Sequence, residues 1–197
     1  YYSTLEEARA DLFALYYIAD PKLLELGIIT GPEVAECEYD TYIRNALLTQ
    51  LTRIKPGDSL EEAHMRNRQL IASWVYEQGK EANVIEKIRE QGKTYFVIRD
   101  YEALRMLFGK LLAEVQRIKS EGDYPAARDL IETYGVKVEE ELHREVLERY
   151  RKLNVPPYAG FINPVYTLVK AGGEITDVRI YYSDNFLEQM LKYGEEE

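Results

Sequence analysis

The chain has little of what most site chemistries are built from. It holds one cysteine, two histidines and one tryptophan in 197 residues. A single cysteine, Cys37, excludes an internal disulfide. Cys37 stands among Glu36, Glu38 and Asp40, an acidic setting that disfavours the thiolate, so it reads as structural or incidental. His64 and His143 are too far apart in the chain to share one local metal motif. There is no Gly-x-Ser-x-Gly and no Cys/His nucleophile arrangement. Gly172-Gly173 lacks the strand, helix and lysine context of a phosphate loop. No run approaches the ~18 apolar residues of a membrane span, and no signal peptide is visible. Positive charge is also short: 25 Lys and Arg against 35 Asp and Glu give a net charge of −10. That balance argues against nucleic acid, whose phosphates demand clustered Lys and Arg. It permits attraction to an amine-bearing ligand such as a peptide N-terminus.

What is there describes an ordinary globular protein. The hydrophobic fraction is 46% and the charged fraction 30%. The length suffices for one good core, and no composition shift marks an internal boundary, so a single domain over 1–197 is expected. Seventeen tyrosines supply apolar faces with polar tips, suited to cores and clefts alike. The tail Gly194-Glu195-Glu196-Glu197 reads as a solvated end. A lone cysteine suits a reducing compartment, and the expected location is cytoplasmic.

The expected fold class is mainly α, a helical domain with one or two small β-hairpins. Helices are expected from about Thr4 to Ala19, capped by Ser3 or Thr4, then from Pro21 to Gly27, and from Gly31-Pro32 to about Arg53. Ser59, with Glu62 three residues on as a capping box, opens a helix reaching about Gln78. The segment from Val84 to Ile98 reads as a hairpin or a helix turn followed by a strand. Asp100 caps a helix to about Glu121 with Leu104, Leu107, Leu111, Val115 and Ile118 as its apolar stripe. Helices follow over about Pro125–Tyr134 and Val138–Leu153, the latter acidic at its start and basic at its end. Val155-Pro156-Pro157-Tyr158-Ala159-Gly160 is an irregular loop. A hairpin over 165–182 turns at Ala171-Gly172-Gly173, and a last helix covers Asn185 to about Lys192.

Two clusters could carry chemistry. Glu7 and Asp11 are four apart on the first helix, so both carboxylates share a face that runs into the apolar stretch Leu12–Ile18. Carboxylates beside a buried face need a partner, and a metal or a metal-ligating histidine is one. The plain alternative is a solvated helix edge with Arg9 as an internal partner. His64 and Arg68 form the second cluster, again four apart on one helix face. Its plain alternative is a surface pair held by neighbouring acids such as Glu61 and Glu62. His143, flanked by charge on both sides, reads as a solvated helix residue.

Three segments in order carry a resemblance. Glu6-Glu7-Ala8-Arg9-Ala10-Asp11 resembles the second zinc motif of the dipeptidyl peptidase III family of zinc metallopeptidases. Ala63-His64-Met65-Arg66-Asn67-Arg68 is similar to that family's Ala-His-Met-x-x-Arg helix. Lys119-Ser120-Glu121-Gly122-Asp123, followed by Ala127-Arg128-Asp129-Leu130, resembles a further family segment at about the expected distance. The resemblance implies that Glu7 is a zinc ligand and that Asp11 holds a ligating histidine. It implies that His64 faces the cleft and stabilises the transition state, and that Arg68 binds nearby substrate or carboxylate. The implied activity removes N-terminal dipeptides from short peptides, with a peptide substrate and no nucleic acid or membrane as partner.

The chain departs from the family in three places. The other two zinc ligands and the general base of the family lie on a His-Glu-x-x-x-His helix, which this sequence does not contain. A catalytic zinc site takes three protein ligands and an open position, and this chain offers at most one. The expectation is therefore a C-terminal fragment of the catalytic region, inactive and a poor zinc binder alone, whose partner is the remainder of the peptidase chain. An arginine five positions past the one matching Arg68, present in some members, is Ser73 here. A Lys-x-x-Arg pair before the C-terminal hairpin in some members is replaced by Val155-Pro156-Pro157-Tyr158, so that pair's recognition of a substrate carboxylate is not carried over. A non-catalytic helical scaffold domain is the alternative, in a parent that could be fused to a Nudix-type hydrolase. Nothing in this sequence resembles the Nudix box.

Overall fold

Capping chemistry and burial decide where the helices of this chain begin and end. The computed structural model describes residues 1–154, 163–182 and 185–195. Helix α1 spans Tyr2–Tyr17 and starts two residues before the expected Thr4. The backbone N–H of Leu5 donates to the Tyr1 carbonyl at 3.0 Å, so helical bonding is under way before either hydroxyl could cap it. Its N-cap is Tyr1, with no side-chain hydrogen bond. Asp20 is extended ahead of Pro21 and caps α2 (Pro21–Glu25) by accepting from Lys22 N–H. Helix α3 covers Glu33–Leu47 and gives way to a 3-10 turn at Thr49–Arg53, where one unbroken helix was expected. The buried Gln50 side chain donates to the Ala46 carbonyl at 2.7 Å, satisfying one of the acceptors a helix end leaves open.

Helix α4 runs over Ala63–Gln78, and the expected capping box at Ser59 does not form. Glu62 is itself the N-cap, accepting from His64 and Met65 N–H at 2.8 and 3.0 Å. Burial explains the later start. Leu60 is fully buried, its N–H donates to the Val136 carbonyl at 3.3 Å, and Arg66 Nε donates to its carbonyl at 2.6 Å.

Strands β1 (Ile85–Glu90) and β2 (Lys93–Ile98) form an antiparallel hairpin. Gln91 and Gly92 take φ of 49° and 75°, the two positive values that a tight two-residue hairpin turn needs. Helix α5 (Tyr101–Glu121) is capped by Asp100, and α6 (Tyr124–Tyr134) by Asp123. Helix α7 follows over Glu140–Leu153.

The core forms where α1 and α4 meet α5. Leu5, Ala8, Leu12 and Leu15 of α1 join Leu70, Ile71 and Val75 of α4 and the stripe Leu104, Phe108, Leu111, Val115 of α5. Gly109 fixes the α1–α5 approach: a Cβ there would come within 2.6 Å of the Tyr16 ring. Arg105 lies over that ring and donates from Nε to the Tyr16 carbonyl at 3.0 Å. These contacts hold α1 in rotation and height along α5.

His143 corrects the sequence reading. It is 3% exposed rather than solvated. Its Nε2 lies 2.9 Å from the Leu51 carbonyl and 3.3 Å from that of Ile54, so the ring N–H donates there. The charged neighbours misled because α7 is amphipathic, and its apolar edge of Leu142 and Val146 closes over Leu51. Replacing His143 by Leu should destabilise the chain by about 1–3 kcal/mol, the cost of leaving buried carbonyls unpaired. Urea unfolding checks this; a change within about 0.5 kcal/mol would match an exposed residue instead.

The contacts divide the chain into two compact units, Tyr1–Leu153 and Asn154–Glu197. In the second, β3 (Pro164–Ala171) and β4 (Glu174–Tyr182) pair antiparallel, and α8 spans Phe186–Glu195. The buried Gln189 amide accepts from Asn163 N–H at 2.8 Å and donates to its carbonyl at 2.7 Å, tying α8 to the start of β3. The irregular loop expected at 155–160 lies outside the described residues. Among the described residues the architecture is mainly α with two small hairpins, as the sequence pattern implies. No described helix is long and apolar enough to cross a membrane.

Candidate functional site

The buried stripe of α1 sets the orientation of its acids. Leu5, Ala8, Leu12 and Leu15 face the core, which leaves Glu6, Glu7 and Asp11 half-buried at the margin. Each of the three takes a partner from another element. Glu6 pairs with Lys119 of α5 and with Arg9. Glu7 Oε2 lies 3.2 Å from His64 Nδ1 of α4. Asp11 Oδ2 accepts from Tyr42 OH of α3 and Asn67 Nδ2 of α4, both at 3.0 Å. Arg9, the expected internal partner of Glu7 and Asp11, serves Glu6 instead.

The site is graded from wet to dry along one helix face. The His64 and Glu7 side chains are 56% and 36% exposed, open to a ligand from solvent. One turn further, Asp11 meets Asn67, which is 1% exposed. Burial pushes the Tyr42 phenol well above its ordinary range, and the Asp11 carboxylate beside it pushes it further, so Tyr42 is a committed donor. Arg68, partly buried, opposes that rise with its positive charge. The Glu62 carboxyl sits below its usual range: burial works against this, but the N–H groups of His64 and Met65 outweigh it, helped by the charges of His64 and Arg68. Glu6 is likewise held down, first by Lys119 and then by Arg9.

The third segment braces the first. Lys119 reaches Glu6 and lies 4.4 Å from the Tyr2 ring centroid. Glu121 and Asp123 bind Arg117 at 2.7 and 2.9 Å, while Gly122 takes the left-handed conformation that closes α5. Thus the three segments that carry the resemblance converge on α1, although long stretches of chain separate them.

Among the described residues no three His, Cys, Asp or Glu side chains converge into a group that could hold a metal. Glu7, open and unburdened except by His64, fits one corner of a three-ligand zinc site. One carboxylate falls short of the three protein ligands that such a site takes, so the described residues fit that role only in part.

Three contacts of this cluster were not foreseen from sequence. Tyr42 reads as an apolar position of α3, but a tyrosine near a core must place its hydroxyl, and Asp11 is where it goes. Asn67 lies within the segment that carries His64, and its spacing of three places it on the same face. Lys119 stands in the third segment without a role until the fold sets it against Glu6.

This is a helical unit that presents a carboxylate and an imidazole at one edge and backs them with a buried polar cluster. The model of Peptidase family M49 matches residues 1–157, which takes in α1 to α7. The chain belongs to that family, the dipeptidyl peptidase III family, and membership suggests a peptidase. A comparison with curated proteins finds no match.

Proposed function

We propose that this chain forms the Glu7-bearing side of a zinc exopeptidase that removes dipeptides from the N-terminus of short peptides. The other two ligands and the general base belong to a His-Glu-x-x-x-His helix outside this sequence. The observation that supports this most is the solvent-open Glu7 carboxylate beside His64, with Asp11 held one turn behind, in a chain of family M49. Glu7 is a metal ligand and Asp11 orients a ligating histidine. His64 donates toward the oxygen that gathers negative charge as the peptide carbonyl is attacked. Arg68 holds substrate or a neighbouring carboxylate. Bound zinc supplies a polarised carbonyl and a bound water of lowered pKa.

The chain by itself should bind zinc weakly and release no naphthylamide from dipeptidyl-naphthylamides at saturating zinc, since one carboxylate cannot build a three-ligand site. Calorimetric titration and the release assay check this. A tight stoichiometric site abolished by Glu7→Ala, or turnover that survives repurification, would overturn the division of ligands between this chain and another segment.

A further inference from the structure

Asp11 is gripped by two donors from different helices, and both reach the same oxygen. Tyr42 OH and Asn67 Nδ2 each lie 3.0 Å from Oδ2. No hydrogen bond to Oδ1 is formed among the described residues. A lone aspartate on a helix can swing between rotamers and turn its carboxylate. Two donors on one oxygen, one from α3 and one from α4, leave a single orientation.

Asn67 adds a second observation. It is 1% exposed, and its Oδ1 is buried without a partner among the described residues. Turning the amide over would set that oxygen against the Asp11 carboxylate, acceptor to acceptor. The amide is therefore locked with its donor on Asp11 and its acceptor orphaned. Buried polar atoms left unpaired are rare in folded proteins, and Gln50 Oε1 is the other such side-chain atom found among the described residues. The same face carries Glu7 one turn away, so the cluster fixes the acid next to the open carboxylate.

Resting on the peptidase reading above, we propose that Tyr42 and Asn67 are positioning residues of the metal site. They hold Asp11 by Oδ2 so that Oδ1 stays free to accept an N–H from a metal-ligating histidine. Neither touches metal or substrate. Each acts through Asp11, so each matters less than Asp11 itself, and neither matters once Asp11 is gone.

The test is zinc affinity, measured by competition with a chelating dye in the longer peptidase that carries the His-Glu-x-x-x-His helix. Tyr42→Phe keeps the ring and removes one donor; zinc should bind roughly tenfold more weakly, the low end of what partners of metal ligands contribute. In an Asp11→Ala background the same substitution should have no further effect. Asn67→Ala supplies the second arm and should follow the same pattern. Wild-type affinity in both single variants, with zinc lost in Glu7→Ala, would overturn the proposal and leave the peptidase reading standing. A loss from Tyr42→Phe that persists without Asp11 would overturn it too, because the effect would then be general packing. Zinc retained in Glu7→Ala would remove the peptidase reading and this proposal with it.

Discussion

On the zinc-peptidase reading proposed above, Glu7→Ala, made in a longer chain that carries the His-Glu-x-x-x-His helix, should strip the metal and take nearly all activity with it. Glu7 is the one acid of α1 with an open, half-exposed carboxylate and only His64 beside it. A three-ligand site that loses one protein ligand keeps too few to hold zinc at ordinary concentrations. The fold should hardly notice, because no hydrogen bond to the core is broken. Asp11→Ala should behave differently on both counts. Metal affinity or activity should fall about 10–100-fold, as it does when a partner of a metal ligand is removed. The metal-free protein should lose stability, since Tyr42 OH and Asn67 Nδ2 would be left unpaired, at about 1–3 kcal/mol. Zinc content by emission spectroscopy and melting of the metal-free protein separate the two acids. If Asp11→Ala emptied the site while Glu7→Ala left it filled and destabilised the fold, the roles would be reversed.

Local rules carried most of the fold. The α5 stripe at Leu104, Leu107, Leu111, Val115 and Ile118 is buried as its spacing dictates, and Asp100 and Gly122 cap the ends. Gln91-Gly92 turns the first hairpin with both residues at positive φ, which Gly92 adopts freely and Gln91 adopts because the strand pairing on either side holds it there. The failures share a cause in tertiary burial. Leu60 is drawn into the core and moves the α4 cap from Ser59 to Glu62. His143 sits among charges in sequence, yet one edge of its helix is packed, and no local pattern reveals the two carbonyls it meets, one in the 3-10 turn and one just past its end. The site divides along the same line. Residues four apart on one helix, Glu7 with Asp11 and His64 with Arg68, are legible because helix geometry alone joins them. The links between helices, Asp11 to Tyr42 and Glu6 to Lys119, depend on how α1 lies on α3 and α5, which Gly109 and Tyr16 help set.

His64→Ala should lower kcat and kcat/KM together, by roughly 10²–10³-fold, with little change in KM. The imidazole stands on the first turn of α4, fixed at its backbone by the Glu62 cap, with its ring more than half exposed. A ring so placed contributes little to the core, so the melting temperature should stay near wild type. Its position 3.2 Å from Glu7 admits two roles that kinetics can separate. If His64 acts on the substrate as charge develops on the carbonyl oxygen, the loss persists at saturating zinc, and zinc affinity is nearly unchanged. If His64 only steadies Glu7, zinc affinity falls and added zinc restores the rate. The first pattern is expected, because Glu7 is already held by its helix and needs no further support, whereas an exposed donor at the site margin can reach a bound peptide. A wild-type kcat in the zinc-saturated variant would return His64 to an exposed helix histidine that happens to meet an acid.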